Sequence, residues 1–269
     1  MNILTIDVED WYMDMDISCW QTFEDRVVAS TDRILSILGD TKATFFVLGY
    51  VAEHHPELIT HIHEAGHELG THGYSHKPIT AQSPSQFEEE LLKSIDIIES
   101  ITGEKVYGHR ACQFTVMKAT AWSIDVMKRC GLQYDSSLFP VTTPLYGEPD
   151  APLFPYRISA KDICSESNEG EIWEFPLSVF QTPFKNLPIA GGFYLRFLPY
   201  WLIKLSIKKI NKQGKPAVIY AHPWEIDINQ PKIPQFKWYH YYNLSEMEPR
   251  FRKLLNDFEF TSIRGWLND

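Results

Sequence analysis

Two histidines, His72 and His76, form an HxxxH pair, and an acidic cluster of Asp7, Glu9 and Asp10 lies near the start of the chain. Two imidazoles and one carboxylate, with positions left open for water, are the usual ligands of a catalytic zinc or a related divalent ion. An HxxxH pair is weak support by itself, because many such pairs are structural. The acidic cluster strengthens it, and together they predict a divalent metal site.

A second histidine motif, His63-Glu64-Ala65-Gly66-His67, matches the HExxH pattern of zinc proteases. That pattern requires both histidines on one uninterrupted helix. Gly66 is a typical helix stop, and His67 begins a strand-like run, so the two rings are not expected to share a helical face. The sequence therefore argues against a protease site here.

The elements that must position these groups alternate along the chain. Helical apolar spacing covers about 25–38, 56–65, 83–103, 118–130, 199–212 and 244–256, and strand-like runs cover 3–7, 43–48, 67–71, 105–109, 133–135, 172–177 and 217–221. Alternation of this kind favours an α/β fold with a parallel sheet, closed or nearly closed, and helices outside. We expect a distorted (β/α) barrel of about seven parallel strands.

Reactive side chains follow several of these predicted strands directly. In a parallel barrel, such residues meet at the carboxyl face of the sheet, where catalysis takes place. The groups placed there are carboxylates, imidazoles and one guanidinium: Asp7, Glu9, Asp10, His72, His76, Arg110, Asp135 and His222. This convergence predicts an active site rather than scattered structural residues.

Composition narrows the class of protein. The 269 residues are 44% hydrophobic and carry a net charge of −10, which supports a large core and disfavours nucleic acid as a partner. No apolar run reaches the roughly 18–20 residues that span a bilayer. The chain begins without a secretory pattern, and its four cysteines show no CxxC spacing, so a cytoplasmic protein with reduced thiols is expected.

Positive charge is concentrated in one segment. Residues 196–215 hold six Lys and Arg and no acid, and within 198–215 the apolar residues Trp201, Leu205 and Ile210 alternate with lysines. This pattern fits an outer barrel helix with lysines reaching into solvent, which is the interpretation we favour. Peripheral contact with an anionic membrane is the alternative.

Taken together, the motifs resemble the polysaccharide deacetylases of the NodB homology domain, carbohydrate esterase family 4. The resemblance covers nearly the whole chain and is closest to the subgroup with an Asp-Val-Glu-Asp first motif, found beside bacterial exopolysaccharide and O-antigen genes. It rests on Thr5-Ile-Asp-Val-Glu-Asp10, Lys42-Ala-Thr-Phe-Phe-Val-Leu-Gly49, Gly66-His-Glu-Leu-Gly-Thr-His-Gly-Tyr-Ser-His76, Gly108-His-Arg-Ala111, Tyr134-Asp-Ser-Ser137 and Tyr220-Ala-His-Pro-Trp-Glu-Ile-Asp227.

The resemblance implies one catalytic domain over 1–269, with a family-specific part from about 140 to 269 completing the barrel. It also implies a single divalent ion, zinc or alternatively cobalt or another metal, held by His72 and His76. By position, Asp7 matches the general base and Arg110 the arginine that orients it. Asp135 matches an aspartate near the acid histidine, and His222 matches that acid.

Two departures from the family pattern affect these assignments. Val8 replaces the second of two adjacent aspartates, so the carboxylate ligand is either Glu9 or Asp10; Glu9 is favoured because residues two apart on a strand share a face with Asp7. Cys112 stands where the family has a proline that fixes the turn before the oxyanion donor. That donor role would fall to the Gln113 amide, less rigidly held.

The expected activity is removal of N-acetyl groups from an amino sugar in a saccharide or its lipid- or nucleotide-linked precursor. Tyr74 and Trp224 are candidates for contact with the sugar, and packing is an equal alternative for both. Two other functions stay open: hydrolysis of a small non-sugar amide on the same fold, and saccharide binding without catalysis. Sequence alone leaves the exact sugar, the native metal and the oligomeric state undetermined.

Overall fold

The computed structural model describes residues 1–143, 146–168 and 172–268. Its main sheet follows the spatial order β10-β1-β2-β3-β4-β5-β7-β6, with β11 added beside β1, and β8 and β9 form a separate hairpin. The strands are β1 (Asn2–Val8), β2 (Thr44–Val47), β3 (Glu68–Thr71), β4 (Gly108–His109), β5 (Tyr134–Asp135), β6 (Tyr156–Ile158), β7 (Ile172–Glu174), β8 (Val179–Gln181), β9 (Asn186–Pro188), β10 (Val218–Ala221) and β11 (Phe260–Thr261).

Most of the helices pack against the outer face of this sheet, whereas Ile263 of α10 packs on its inner side. They are α1 (Val27–Leu38), α2 (Gly49–His54), α3 (Pro56–Glu64), α4 (Pro84–Thr102), α5 (Ser123–Arg129), α6 (Phe193–Phe197), α7 (Tyr200–Asn211), α8 (Trp238–Tyr241), α9 (Met247–Asp257) and α10 (Ile263–Asn268). Within the described ranges, no helix is long and apolar enough to cross a lipid bilayer.

The predicted α/β fold is confirmed, with local differences. The strands from β10 to β7 run parallel, while β6 is antiparallel to β7. The helix predicted over 118–130 divides into a 3-10 turn at Lys118–Thr120 and α5, and the one predicted over 244–256 begins as a 3-10 turn at Leu244–Glu246. The short elements α2, α6, α10 and the β8–β9 hairpin were not predicted, because each is too short to show a period.

Alternation along the strands creates two apolar clusters. One set of side chains, including Ile3, Phe46, Tyr134 and Tyr220, packs inside the curved sheet. The alternate set, represented by Leu4, Phe45 and Ile219, packs between the sheet and the helices. Each strand therefore has one inward face and one outward face.

The open side of the sheet is bridged by hydrogen bonds from the segment after β7. The Ser178 amide donates to the Val218 carbonyl at 3.2 Å, and the Val218 amide donates to Ser178 Oγ at 2.8 Å. Gly191 also pairs with Tyr220 as a parallel bridge. The segment after β7 thus reaches β10, and the sheet is a distorted, nearly closed barrel.

Strand register places the ends of the strands level with one another. Val8, Val47, Thr71, His109 and Asp135 are successive lateral partners across β1 to β5. The residues that follow them, among them Glu9, His72 and Arg110, consequently emerge at one rim. Because Ile6 pairs with Ala221, His222 emerges level with Asp7.

Gly108 has no room for a side chain. A Cβ built on it would lie 2.0 Å from the Tyr134 ring. We predict that Gly108→Ala lowers the free energy of unfolding by about 1–3 kcal/mol, because the ring must move inside a packed barrel. Urea unfolding measures this loss. In a Tyr134→Val background the same substitution should cost clearly less; an equal cost in both backgrounds would show that the ring contact is not the cause.

Candidate active site

A cavity of about 260 Å³ opens at the carboxyl rim of the barrel. The sequence-predicted residues that line it include Asp7, Glu9, His72, His76, Gln113, His222 and Trp224. Most of them lie at or just after the ends of strands that are level with one another. Counting along each strand in steps of two places them on the same inward face as the apolar side chains of the barrel interior. The inward face of the sheet therefore changes from apolar in its interior to ionisable at its rim.

Glu9, His72 and His76 lie together at this rim. One ligand atom from each side chain lies within 4.8 Å of the others, and all three residues are buried. Glu9 Oε2 is 2.8 Å from His76 Nε2 and 3.8 Å from His72 Nε2. Among the described residues, this is the one group of three His, Cys, Asp or Glu with such spacing.

Hydrogen bonds around the group orient its donor atoms. His72 Nδ1 is 2.8 Å from the Arg110 carbonyl, which can only accept, so Nδ1 carries the proton and Nε2 presents its lone pair. Trp224 Nε1 donates to Glu9 Oε1 at 3.0 Å and leaves Oε2 facing the histidines. Two imidazole nitrogens and one carboxylate oxygen held in this way fit the ligand chemistry of a divalent transition metal.

Electrostatics favours an ionised Glu9. Burial opposes ionisation, but the charges of His76 and His222 outweigh it and hold the pKa of Glu9 well below its usual range. Burial lowers the pKa of His72 to about 4, so this ring is neutral at pH 7. Although burial acts in the same sense on His76, the Glu9 carboxylate raises the pKa of His76 to about 9. A metal ion at this site would displace the proton of His76, which pairs with the Glu9 carboxylate in this structure.

The backbone at the cavity adopts unusual conformations. His76, Gln113 and Phe114 have positive φ angles of 54°, 52° and 53°, which residues with a Cβ rarely adopt. Such conformations persist where the surrounding structure enforces them, and they are concentrated at functional sites. Gln113 lines the cavity, and the buried Cys112 precedes it in place of the family's proline.

Asp10 is directed away from the histidines. Its carboxylate accepts hydrogen bonds from the backbone amides of Trp11, Arg26 and Val27, the last two at 2.6 and 2.8 Å. Burial raises the pKa of Asp10 to about 6, against the effect of these amides. Asp10 therefore caps the start of α1, and of the two carboxylates considered for the metal it is Glu9 that lies with the histidines.

Asp7 forms a buried ion pair with Arg110. The guanidinium Nη1 donates to Asp7 Oδ1 at 2.8 Å and to Thr5 Oγ1 at 2.6 Å, while Nε and Nη2 donate to the carbonyl and hydroxyl oxygens of Ser136, both at 2.7 Å. Neither residue is more than 1% exposed. Arg110 thus keeps one carboxylate oxygen engaged and fixes the orientation of the other.

His222 lies across the cavity from the histidine pair. Its Nε2 is 3.5 Å from Glu9 Oε1 and 3.9 Å from Asp7 Oδ2. Its Nδ1 is 2.9 Å from Glu225 Oε2, and the other oxygen of Glu225 accepts from Arg196 Nε at 2.8 Å. Burial acts against protonation of His222, but Glu9 and then Glu225 raise its pKa to about 9.

Sequence reasoning missed Glu225 and Arg196. Glu225 stands three residues after His222 inside a motif already recognised, so its spacing was an available signal. Arg196 is distant from His222 in the sequence, and no sequence signal pointed to it. Burial opposes ionisation of Glu225, yet Arg196 and His222 keep its pKa below the ordinary value. Asp14, Phe114, Tyr146 and Tyr239 also line the cavity and were not predicted.

The prediction that Asp135 lies near His222 is wrong. Asp135 Oδ1 is 2.7 Å from His109 Nδ1 and accepts from Ser137 Oγ at 2.7 Å. Its position on β5 has the outward alternation, as does its lateral partner His109 on β4, whose ring packs beside Phe87 of α4. Within the described chain, the carboxylates within 4.0 Å of His222 belong to other residues: Asp7, Glu9 and Glu225.

The two aromatic candidates differ in placement. Trp224 lines the cavity and stacks between the rings of His222 and His240, with interplanar angles of 19° and 4°. Tyr74 is not among the cavity-lining residues; its hydroxyl donates to Glu53, and the Lys93 ammonium lies 3.4 Å from its ring centroid. The expectation of a sugar contact at Tyr74 is therefore not supported.

Comparisons with known proteins bear on this geometry. Residues 15–134 match the Polysaccharide deacetylase family model, and residues 136–268 match a Domain of unknown function (DUF3473). The Peptidoglycan deacetylase of Helicobacter pylori is 30% identical over 200 residues, which cover 73% of this chain and 60% of that protein. The first part of the chain is therefore similar to the polysaccharide deacetylase family.

A second curated relative, a peptidoglycan deacetylase-like protein of Gibberella zeae, is 34% identical over 212 residues, which cover 74% of this chain and 60% of the relative. The chain thus spans about three fifths of the length of these relatives.

Solved structures share the fold of this chain. A candidate polysaccharide deacetylase from Mycobacterium smegmatis superposes with a TM-score of 0.62 at 19% identity, covering 96% of this chain and 85% of that one. A family 4 carbohydrate esterase from Streptomyces lividans, in complex with acetate, has a TM-score of 0.51 at 17% identity and coverage of 97% and 90%. These similarities support the same distorted barrel.

The different placements of Glu9 and Asp10 lead to opposite expectations. Glu9→Ala should abolish stoichiometric metal binding, because it removes the one carboxylate of the group. Asp10→Ala should retain the metal and lower the free energy of unfolding by about 1–3 kcal/mol, because it leaves buried amides without an acceptor. Elemental analysis and urea unfolding of both variants measure the two effects. Metal retained in Glu9→Ala and lost in Asp10→Ala would reverse the assignment.

Proposed function

We propose that this protein is a metal-dependent hydrolase that removes N-acetyl groups from an amino sugar in a saccharide or its precursor. The observation that carries the proposal is the convergence at one rim of three groups: Glu9 with His72 and His76, the Asp7–Arg110 pair, and His222 held by Glu225. The similarity of residues 15–134 to the polysaccharide deacetylase family supports that chemistry.

Glu9, His72 and His76 would hold a divalent ion, for which we propose zinc. Such an ion lowers the pKa of bound water to about 7 and polarises a carbonyl oxygen. Zn²⁺ suits two imidazoles and one carboxylate with remaining positions open to solvent and substrate. The orientation of His72 by the Arg110 carbonyl supports this ligand assignment.

Asp7 is proposed as the general base. Its Oδ1 is occupied by Arg110, and Oδ2 is the oxygen nearer to His222 and the cavity. A carboxylate oxygen directed at the cavity can accept a proton from the attacking water, and the guanidinium holds the carboxylate in that orientation. The Gln113 amide is the proposed oxyanion donor, since Gln113 lines the same cavity.

His222 is proposed as the general acid that protonates the leaving amine. Glu225 accepts from Nδ1 and thereby leaves Nε2 directed towards Asp7 and Glu9, on the cavity side. A carboxylate in this position favours the imidazolium, which is the form that donates. We therefore propose Glu225, in place of Asp135, as the carboxylate beside the acid histidine.

A sugar ring is the proposed occupant of the cavity between these groups. Trp224, Tyr146 and Tyr239 provide flat apolar walls beside the acidic rim. Faces of this kind contact the C–H faces of sugars, while the rim binds the acetamido group. We propose an amino sugar carried on a precursor for a cell-surface polysaccharide, in line with the Asp-Val-Glu-Asp motif of the chain.

We propose that residues 1–269 act as one catalytic domain. The cavity takes Asp7 and Glu9 from before residue 15, His72 and His76 from the region that matches the deacetylase model, and His222 from the region that matches DUF3473. Strand β10 from the last region pairs with β1 at the start of the chain. Both features support a single unit.

The metal assignment and the activity can be tested together. His72→Ala should abolish both bound metal and acetate release from N-acetylated chito-oligosaccharides, because the ion loses one of its three protein ligands. His63→Ala, in the HExxH-like segment outside the cavity, is the matched control and should change neither. Stoichiometric metal persisting in His72→Ala would count against the ligand assignment.

The substrate alternatives separate in the same assay. Release of acid from small cyclic or linear amides, without acetate release from chito-oligosaccharides, would favour a non-sugar amidohydrolase. Saccharide binding without turnover, unchanged by Asp7→Asn, would favour a silent binding protein.

Glu225 has its own test as a positioning residue. Glu225→Gln preserves the shape of the side chain but removes the charge beside His222, so kcat should fall by roughly 10-fold or more while KM and metal content stay within about two-fold. Glu248→Gln, which breaks the Arg33–Glu248 surface ion pair, is the control and should leave kcat unchanged. Urea unfolding of both variants identifies any loss of the fold, and an unchanged kcat in Glu225→Gln would remove the proposed role.

A further inference from the structure

Helix α7 exposes an apolar and basic face. Ile203, Ser206, Ile207 and Ile210 are buried against the barrel. Trp201, Leu205 and Lys208 follow at intervals of four and three residues, so they lie side by side on another face, and Lys212 continues that line one turn later. Trp201 is 66% exposed and Leu205 is 50% exposed.

A second exposed apolar group lies on the hairpin next to α7. Phe184, between β8 and β9, is 96% exposed, and Lys185 follows it. The hairpin packs beside the helix, since the Lys209 ammonium lies 5.3 Å from the Phe180 ring centroid. Because the Phe184 side chain is almost fully exposed, it contributes no apolar burial to the stability of the fold. It is free to insert into an apolar environment outside the protein.

The positive charge around these apolar residues indicates what kind of surface they contact. The whole chain carries a net charge of −10, yet residues 196–215 contain six Lys and Arg and no acid. Lys204 is engaged by Asp257 at 2.6 Å, whereas Lys208, Lys209 and Lys212 are exposed. Tryptophan and leucine beside lysines are typical of helices that lie at an anionic lipid interface, with the ammonium groups reaching the headgroups.

This surface adjoins aromatic residues at the cavity. Phe197, at the end of α6, is 50% exposed and packs against Phe193 and Tyr242, with ring centroids 5.1 and 5.9 Å away. Phe193 also contacts Tyr239, which lines the cavity. Exposed aromatic surface therefore extends from the start of α7 to the mouth of the proposed active site.

We propose that the face formed by Trp201, Leu205, Lys208 and Lys212, together with Phe184, binds the surface of an anionic lipid bilayer. The adjoining aromatic residues then place the cavity mouth beside the lipid headgroups. If the proposed function holds, this location suits a lipid-linked saccharide substrate. Bilayer binding itself does not depend on that function.

The test is co-sedimentation of the purified full chain with vesicles. At low salt the protein should bind vesicles of phosphatidylglycerol and phosphatidylcholine, should bind pure phosphatidylcholine at least 10-fold more weakly, and should dissociate as salt increases. Trp201→Ser/Leu205→Ser and Lys208→Glu/Lys212→Glu should each weaken binding at least 10-fold. Leu92→Ser, which changes a leucine of α4 that is 43% exposed, is the matched control and should bind as the wild type.

Three outcomes would overturn the proposal. The first is no preference for anionic vesicles, or undiminished binding by both double variants. The second is a dimer in light scattering that Trp201→Ser/Leu205→Ser dissociates, which would assign the face to a second copy of the chain. The third is a change of Trp201 fluorescence with soluble chito-oligosaccharides but not with vesicles, which would make it a saccharide surface.

Acetate release from a soluble substrate tests the proposed hydrolase function separately from the proposed bilayer binding. The surface variants should retain the wild-type rate, because none of these residues lines the cavity. If the wild-type protein binds vesicles but releases no acetate, the proposed hydrolase function is wrong and the proposed bilayer-binding surface is still supported.

Discussion

Arg110 is the buried charge on which the cavity is built. Its guanidinium contacts Thr5 and Asp7 on β1 and Ser136 after β5, and its own carbonyl accepts from His72. One residue thereby connects strands on both sides of the barrel with the proposed base and a proposed metal ligand. An isolated guanidinium in this position would be costly, so the polar rim is stable only while these acceptors surround it. The proposed chemistry at the rim therefore depends on the same buried side chain that joins β1 to the segment after β5.

Much of this arrangement could be predicted, because strand alternation extends into the residues after each strand. The same rule that favoured Glu9 over Asp10 places His72, Arg110 and His222 on the inward face. Applied to β5, it would also have placed Asp135 outward, beside His109. The family pattern instead predicts a position near His222, and at β5 the alternation is the better guide. Alternation is reliable at this rim because the strands are parallel and their ends are level.

The second half of the chain was harder to predict for a physical reason. Its strands are two to four residues long, and its helices α6 and α8 are a single turn or little more, so neither shows a period. Their positions depend on distant contacts instead. Arg196 joins Glu225 to the carbonyls of Tyr239, His240 and Tyr242, and Asn243 and Arg250 donate back to the carbonyl of Arg196. No local sequence pattern predicts such a network. Glu225 alone could have been predicted, because it lies three residues after His222 in the same motif.

The placement of β1 has a consequence for biosynthesis. Strand β1 is bordered by β10 and β11, which are synthesised long after it, as well as by β2. A nascent chain can therefore bring Glu9 to the two histidines early, while His222 and one side of β1 await the synthesis of β10 and β11. Until then a buried strand edge stays unprotected, a state in which partly made proteins tend to aggregate. Such long-range pairing also slows folding.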